Sequence, residues 1–275
     1  MIRVVTDSAC DLSEEIVAAH DIEIVPLTIR LGEDTFLDRI ELSTPSFWRR
    51  MRSTESLPET SAPSAGQFLE AYERLASQDA DGIVVVSLSS RLSATHQAAR
   101  VASEQMVSIP VRVIDSMNAT TALGFQVLEA ARAAAGGADL EQVAGAALDA
   151  VPKTNAFAVL DTLEFLRRGG RIGAAAAFFG TALRIKPMIE LAGGAVIPAG
   201  RVRTRSKALA AVASRLANIG PSLEEVAIIH ADAHEEAERL ATRLESSCPI
   251  SIAEIGPVIG AHTGPGTIGA AYRVR

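Results

Sequence analysis

Short apolar runs alternate with helical patterns through the first half of the chain. Strands are predicted over residues 2–5, 22–29, 82–88 and 111–114, and polar turns end several of them. Helices are predicted from Asp11 or Ser13, from Ser43 or Thr44, and over residues 67–76, 93–108, 119–135 and 140–151. A strand, a polar turn and a helix in repetition predict a parallel sheet with helices on its faces.

The pattern changes from about Asn155 onwards. Strands are predicted over residues 156–160, 188–191, 195–199, 226–230 and 250–255, with helices over 162–168, 206–217 and 234–246. The fold class is therefore α/β, and we place a domain boundary near Pro152. Residues 1–152 are expected to form an N-terminal parallel α/β domain, and residues 153–275 a C-terminal α/β domain with a mixed or antiparallel sheet.

Composition and charge exclude several classes of function. The 275 residues carry a net charge of −7 and only 4% aromatic residues, which argues against nucleic-acid binding. No apolar run is long enough for a membrane span, so we expect no stable membrane insertion. The N-terminus does not read as a signal peptide, and Cys10 and Cys248 show no metal-ligand or disulfide spacing. These features predict a cytoplasmic protein without a metal.

Polar turns at strand ends are the candidate chemistry, because ligands of open α/β sheets bind at the carboxyl ends of strands. Asp7 and Ser8 follow the first predicted strand, and Ser93 lies where a helix begins after residues 82–88. The run 255–269 places His262 between glycine-rich turns, where an imidazole can donate to a carboxylate or phosphate. For a single serine, the alternative of a helix N-cap is favoured.

Arginines alternate at Arg201, Arg203 and Arg205. In an extended strand they would share one face. The alternative is a solvated basic edge that discourages strand pairing.

Motifs spread along the whole chain resemble those of the DegV family of bacterial proteins. The matching segments are TDSACDL (6–12), PLTI (26–29), TSAPS (60–64), SSRLSATHQAA (89–99), DSMNAT (115–120), LEFLRRGGRI (163–172), KPMIEL (186–191), RVRTRSKAL (201–209) and GPVIGAHTGPGTIG (256–269). Each is weak alone, but their order and spacing make the match specific.

The resemblance implies two α/β domains that bind one long-chain fatty acid between them. The acyl chain is expected in an apolar tunnel, with the carboxylate at a polar interdomain mouth. Some members present that carboxylate to a separate fatty acid kinase subunit, and the acyl phosphate formed feeds phospholipid synthesis. No cofactor is expected apart from the fatty acid itself.

Site residues follow from the motifs. The resemblance places carboxylate binding at Thr60, Ser61, Ser93 and the N–H of Ala94. It places Arg203, His262 and Thr263 towards the head group and any phosphate added there, with Asp7 and Ser8 as further candidates. Two positions depart from the family pattern: Ala94 replaces a glycine, and His96 replaces an aromatic residue.

The tunnel wall is expected to draw on apolar residues of the second half, each of which is also an ordinary core candidate. These are Phe157, Leu163, Phe165, Ile172, Phe178, Phe179, Leu183, Ile185, Met188 and Ile189.

Two alternatives remain open. The first is an enzyme that uses Asp7, Ser8, Ser93, Asp115 and His262, although the G-x-S-x-G nucleophile elbow and the P-loop are both missing from the sequence. The second is a fatty-acid sensor or transport module without a kinase. If a kinase partner docks, a patch with Arg167, Arg168 and Arg171 is a candidate surface.

Overall fold

The protein is described from a computed structural model that covers residues 1–53, 56–178, 185–244 and 248–275. The strands are β1 (Ile2–Asp7), β2 (Ile22–Val25), β3 (Thr28–Leu31), β4 (Asp34–Leu37), β5 (Glu59–Ser61), β6 (Gly82–Ser87), β7 (Val111–Asp115), β8 (Thr154–Val159), β9 (Lys186–Ala192), β10 (Ala195–Val202), β11 (Leu223–His230), β12 (Ile250–Glu254) and β13 (Ile268–Val274). The helices are α1 (Glu14–Ala19), α2 (Thr44–Ser53), α3 (Ala65–Ala76), α4 (Thr95–Gln105), α5 (Thr120–Ala135), α6 (Leu140–Ala150), α7 (Glu164–Arg168), α8 (Arg205–Ile219), α9 (His234–Arg243) and α10 (Pro257–Thr263).

A four-stranded parallel sheet in the order β2-β1-β6-β7 forms the centre of the first half. Every residue of β6 is buried, as expected for a central parallel strand with helices on both faces. The α/β fold class predicted from the sequence is confirmed. Ser13 and Ser64 cap α1 and α3 by accepting backbone N–H bonds at their N-termini.

A small antiparallel sheet in the order β4-β3-β5 was not predicted. The prediction of one strand over residues 22–29 was wrong, because the chain leaves the parallel sheet at Pro26, which has no N–H to donate. The following β3 pairs in the other sheet, with Ile29 opposite Thr60 of β5. This pairing of β5 with β3 brings Thr60 to the functional site.

A six-stranded mixed sheet in the order β10-β9-β8-β13-β11-β12 organises the second half. Its first strand along the chain begins at Thr154, close to the predicted boundary at Pro152. One hydrophobic core joins the halves, since Val86 and Leu123 belong to the same buried cluster as Ile229 and Ala271. The domain boundary therefore stays a prediction.

The C-terminal segment differs from the expectation of glycine-rich turns. His262 lies within the short helix α10, which begins at Pro257 after the N-cap Gly256 and ends at Thr263, before the C-cap Gly264, where φ is +75°. The segment after it forms β13, which pairs with both β8 and β11 and was not predicted. The glycines of this segment indicated turns, whereas the structure has about two turns of helix and a central strand.

The shared strand face predicted for the three arginines was wrong. Arg201 lies in β10, Arg203 lies in the turn after it, and Arg205 is the first residue of α8, which Thr204 caps. No helix in the described part of the chain is long and apolar enough to cross a membrane.

Candidate functional site

A cavity lies where the two halves meet, and the empty space within it and at its open mouth amounts to about 790 Å³. Its apolar lining consists of Leu27, Leu88, Leu92, Ala119, Ala156, Phe157, Ala158, Leu166, Ile189, Leu191, Val196, Ile229, Ile255, Val258 and Ile259. Its polar lining consists of Thr60, Ser93, Thr120, Arg171, Glu190, His262 and Thr263. The cavity is thus a mainly apolar pocket with a few polar groups.

Thr60 and His262 form the central polar contact of the lining. The hydroxyl of Thr60 in β5 lies 2.8 Å from Nε2 of His262 in α10, although 202 residues separate them in sequence. The other ring nitrogen, Nδ1, is buried and has no hydrogen-bond partner among the described residues. The chain approaches it closely at Gly169, where a Cβ atom would overlap the imidazole.

The imidazole of His262 is neutral at physiological pH. Burial, and then the nearby positive charge of Arg171, lower its pKa to about 4. The ring therefore acts as a hydrogen-bonding partner of Thr60 and carries no charge of its own.

Ser93 lines the cavity just before α4. Its Oγ accepts a bond from the N–H of Thr95 at 3.3 Å and lies 2.9 Å from the Thr95 hydroxyl. Ala94, the N-cap residue of α4, is exposed and its side chain is outside the described lining. A hydroxyl beside a helix N-terminus suits an anionic oxygen.

Arg171 is the cavity arginine, and it was not singled out from the sequence as a site residue. Its Nε donates to the carbonyl of Leu92 at 3.0 Å, and its Nη1 donates to the carbonyl of Gly169 at 2.7 Å. These bonds hold the half-buried guanidinium between the Ser93 turn and the end of α7. From sequence alone, two glycines followed by an arginine after a helix indicate a helix end with a solvated arginine.

Two predicted head-group residues lie elsewhere. Ser61 is exposed, because neighbouring residues of a strand point to opposite faces and Thr60 faces the cavity. Arg203 is exposed in the turn between β10 and α8, and it is outside the described lining of the cavity. Thr263 does line the cavity, and its hydroxyl also donates to the carbonyl of Ile259 at 3.1 Å.

Asp7 and Ser8 support the cavity wall from behind. Oδ2 of Asp7 accepts the N–H of Leu88 at 2.6 Å, and Oγ of Ser8 accepts the N–H of Leu27 at 3.1 Å. Both of these leucines line the cavity. Burial raises the pKa of Asp7 to about 7, and it likewise raises the pKa of Asp11 to about 7 and that of Asp38 to about 6.

The structure does not assemble the alternative enzyme site. Asp115 accepts backbone N–H bonds from Ser90 and Met117. His96 contacts the hydroxyl of the fully buried Ser87 at 3.0 Å. Of the five proposed catalytic residues, only Ser93 and His262 line the cavity. Within the described ranges, no group of three or more His, Cys, Asp or Glu side chains has metal-binding geometry.

Some of the predicted tunnel residues line the cavity, and others lie elsewhere. Phe157 and Ile189 line the cavity. Leu163 and Ile172 pack in the small core that includes Ile189. Met188 belongs to a different hydrophobic core, which includes residues of α8. Phe165 packs against Gly264, and Ile185 is outside the described lining of the cavity. The Phe178 side chain, Phe179 and Leu183 fall outside the described residues.

Comparison with known proteins gives the family. The model described as "Uncharacterised protein, DegV family" matches residues 1–275. A DegV domain-containing protein of Streptomyces coelicolor is 40% identical over 279 residues, covering 100% of this chain and 99% of that protein. The chain belongs to the DegV family.

Two solved structures share the fold. A Bacillus subtilis protein, described as DegV, a fatty acid binding protein, has a TM-score of 0.91 at 31% identity, covering 100% of this chain and 99% of its own. A stearic acid-binding protein of Eubacterium ventriosum has a TM-score of 0.84 at 25% identity, covering 99% and 98%.

Proposed function

We propose that this protein binds one long-chain fatty acid, with the acyl chain in the apolar part of the cavity and the carboxylate at its polar residues. The observation that carries the proposal is the composition of the lining, in which Thr60, Ser93, His262 and Arg171 interrupt a wall that is otherwise largely aliphatic. Relatives of the same fold are described as fatty-acid-binding proteins.

The polar residues match what a buried carboxylate requires. A carboxylate removed from water needs hydrogen-bond donors, which the Thr60 and Ser93 hydroxyls and the Ala94 N–H supply. If the Thr60 hydroxyl donates to the ligand, its oxygen accepts the Nε2 proton of the neutral His262. The acyl chain contributes about 0.8 kcal/mol for each buried CH₂ group, so the apolar wall dominates the affinity.

We further propose that the bound carboxylate is presented to a separate ATP-dependent kinase subunit, which forms an acyl phosphate for phospholipid synthesis. Neutral donors support this step, because they hold a carboxylate oxygen without forming a tight ion pair and so leave it nucleophilic. In this proposal Arg171, which lines the cavity and donates to the Leu92 carbonyl beside the Ser93 turn, would face the phosphate group, because a guanidinium binds phosphate well. Arg203 is exposed, so we propose that it supports phosphorylation by contacting the kinase subunit.

Calorimetric titration of the delipidated protein with hexadecanoic acid tests the binding proposal. We expect one site per chain, and Ser93→Ala should weaken binding by about 1–3 kcal/mol because a buried carboxylate loses a donor. Titration without heat or saturation would contradict the proposal.

Acyl-phosphate formation tests the kinase proposal. With ATP and the ATP-binding subunit of a fatty acid kinase, we expect product, and Arg203→Ala should reduce it while leaving fatty-acid binding unchanged. Product from the isolated protein would instead favour the enzyme alternative. Binding without product in the presence of the kinase subunit would favour a sensor or transport module.

A further inference from the structure

The side chain of Asp11 joins three elements that are distant in sequence. Its Oδ2 accepts the hydroxyl of Thr120, the first residue of α5, at 2.6 Å. Its Oδ1 accepts the N–H of Gly256, the N-cap residue of α10, at 3.0 Å. Asp11 itself follows the short turn after β1. One carboxyl group of the first half thus fixes where a helix of the second half begins.

That helix carries the predicted head-group residues. Val258, Ile259, His262 and Thr263 of α10 all line the cavity. The helix has only seven residues, so its position depends on contacts at its ends. Asp11 holds the N-cap, and the contact between His262 and Thr60 holds the last turn.

The approach between Asp11 and α10 is close. A Cβ atom on Gly256 would lie 2.8 Å from Oδ1 of Asp11, nearer than real Cβ contacts come. Gly256 has φ of −70°, which any residue adopts, so glycine is required there by space and not by backbone conformation.

Both side chains of the Asp11–Thr120 contact belong to residues with positive φ. Thr120 has φ of +53°, which is an outlier for a β-branched residue, and Asp11 has φ of +50°. Such conformations persist where the surroundings hold them, and they are common at ligand sites. Thr120 lines the cavity, so the strained residue that Asp11 holds is part of the binding wall.

We propose that Asp11 is a positioning residue for the carboxylate site: by tying the start of α10 to the start of α5, it sets the imidazole of His262 against Thr60. This inference rests on the proposed function, because it assumes that Thr60 and His262 bind a fatty-acid carboxylate. Asp11 acts through α10 and does not itself line the described cavity.

The test compares an acid with an alcohol of equal chain length. Hexadecanoic acid and hexadecanol each displace a bound fluorescent fatty-acid analogue, and the ratio of their affinities reports the head-group site alone. The wild-type protein should prefer the acid. Asp11→Ala and Gly256→Ala should each reduce that preference about tenfold, a loss of ~1.4 kcal/mol, so that the affinity for the acid falls about ten times more than the affinity for hexadecanol.

Two further variants make the test specific. Asp11→Asn keeps an acceptor for the Gly256 N–H and a polar partner for Thr120, so it should retain the preference for the acid. Asp38→Ala removes a neighbouring buried carboxyl that makes no hydrogen bond to α10 in the described ranges, and it should also retain the preference.

The outcomes separate the two proposals. An unchanged preference in Asp11→Ala and Gly256→Ala would overturn the positioning role, as would an equal loss of acid and alcohol affinity, which indicates a merely structural effect. If Asp11→Ala does not fold, Gly256→Ala alone decides the question. This variant keeps the Asp11 residue, but its new Cβ atom pushes the Asp11 carboxyl away from the start of α10. A wild-type protein without preference for the acid would instead overturn the proposed carboxylate site.

Discussion

The imidazole of His262 is held in a neutral state between a hydroxyl and a glycine. The hydroxyl of Thr60 is hydrogen-bonded to Nε2 of His262. On the other side, the backbone at Gly169 packs so closely against Nδ1 that even a Cβ atom would overlap the ring. A charged imidazolium would be disfavoured by burial and by Arg171, so the ring orients the Thr60 hydroxyl without adding charge. Close packing at a glycine therefore controls the geometry of the head-group site.

Replacing that glycine should disturb binding without disturbing the backbone. Gly169 has φ of −70°, so the main effect of Gly169→Ala is the overlap of its Cβ atom with His262, beside a milder approach of 3.1 Å to the carbonyl of Phe165. We expect fatty-acid affinity to fall about tenfold, because the displaced ring loses its bond to Thr60. The measurement is a calorimetric titration with hexadecanoic acid.

Gly136→Ala is the matched control for this change. Gly136 ends α5 with φ of −74° and is outside the described lining of the cavity. Equal affinities of Gly169→Ala and Gly136→Ala would show that the approach to His262 is unimportant for binding.

Most of the hydroxyl and imidazole groups at the cavity could be predicted from the sequence, whereas the positively charged Arg171 could not. Thr60, Ser93, His262 and Thr263 stand in recognisable motifs, and the structure brings all four to one cavity. Arg171 follows two glycines after a helix, a pattern that equally indicates a solvated helix end. The guanidinium of Arg171 lies at the cavity because it donates to the carbonyl of Leu92, 79 residues away in sequence. No local sequence pattern predicts that contact.

At the scale of elements, the hairpin of β9 and β10 covers the cavity and is fastened at its tip. Ile189, Leu191 and Val196 of the hairpin line the cavity. At the tip, the buried Ser89 donates to the carbonyl of Gly194 at 2.7 Å, and Arg91 donates to the carbonyl of Gly193 at 2.9 Å. The loop that leads into the Ser93 turn thus anchors the hairpin.

Two neighbouring glycines allow this anchor to be tested. Gly193 and Gly194 both have positive φ, +54° and +80°, so alanine costs about 1–2 kcal/mol of backbone strain at either position. At Gly194 the new Cβ would also lie 2.6 Å from Oγ of Ser89. Gly194→Ala should therefore lower the free energy of unfolding by at least about 1 kcal/mol more than Gly193→Ala, as measured by chemical denaturation. Equal losses would contradict a close contact at the tip.

Elements with strong periodicity were predictable, and those defined by tertiary pairing were not. The buried run of β6 and the capped helix α3 followed from local signals. The chain changes sheet after β2 because β2 pairs with β1, whereas β3 pairs with β5 in the other sheet. The strand β13 forms because it pairs with β8 on one side and with β11 on the other. Pairs such as Ile29 with Thr60, and Gly269 with Ala158, join residues that are far apart in sequence and leave no local signal.

At the scale of the whole molecule, buried carboxyl groups behind the cavity make stability depend on pH. Asp38 is fully buried, and this raises its pKa from 3.8 to about 6. A carboxyl with a raised pKa in the folded state stabilises the fold below pH 4, and that contribution is lost as the pH rises towards 6. Its loss amounts to about 2–3 kcal/mol.

Asp38→Asn removes this dependence. Relative to the wild type, the variant should gain free energy of unfolding as the pH increases from about 4 to 6, with little further change above that range. Urea denaturation of both proteins across this range gives the difference directly. A flat difference would show that folding leaves the pKa of the Asp38 carboxyl unchanged, and a difference that falls with pH would show that folding lowers it; either result would contradict the prediction.

Native mass spectrometry shows whether one long-chain fatty acid occupies the cavity between the halves of this DegV-family protein. The purified protein is weighed intact, and its bound molecules are then extracted into organic solvent and identified. We expect one fatty acid per chain, which also gives the preferred acyl length. A protein that is empty, and that fails to take up added hexadecanoic acid, would contradict this expectation.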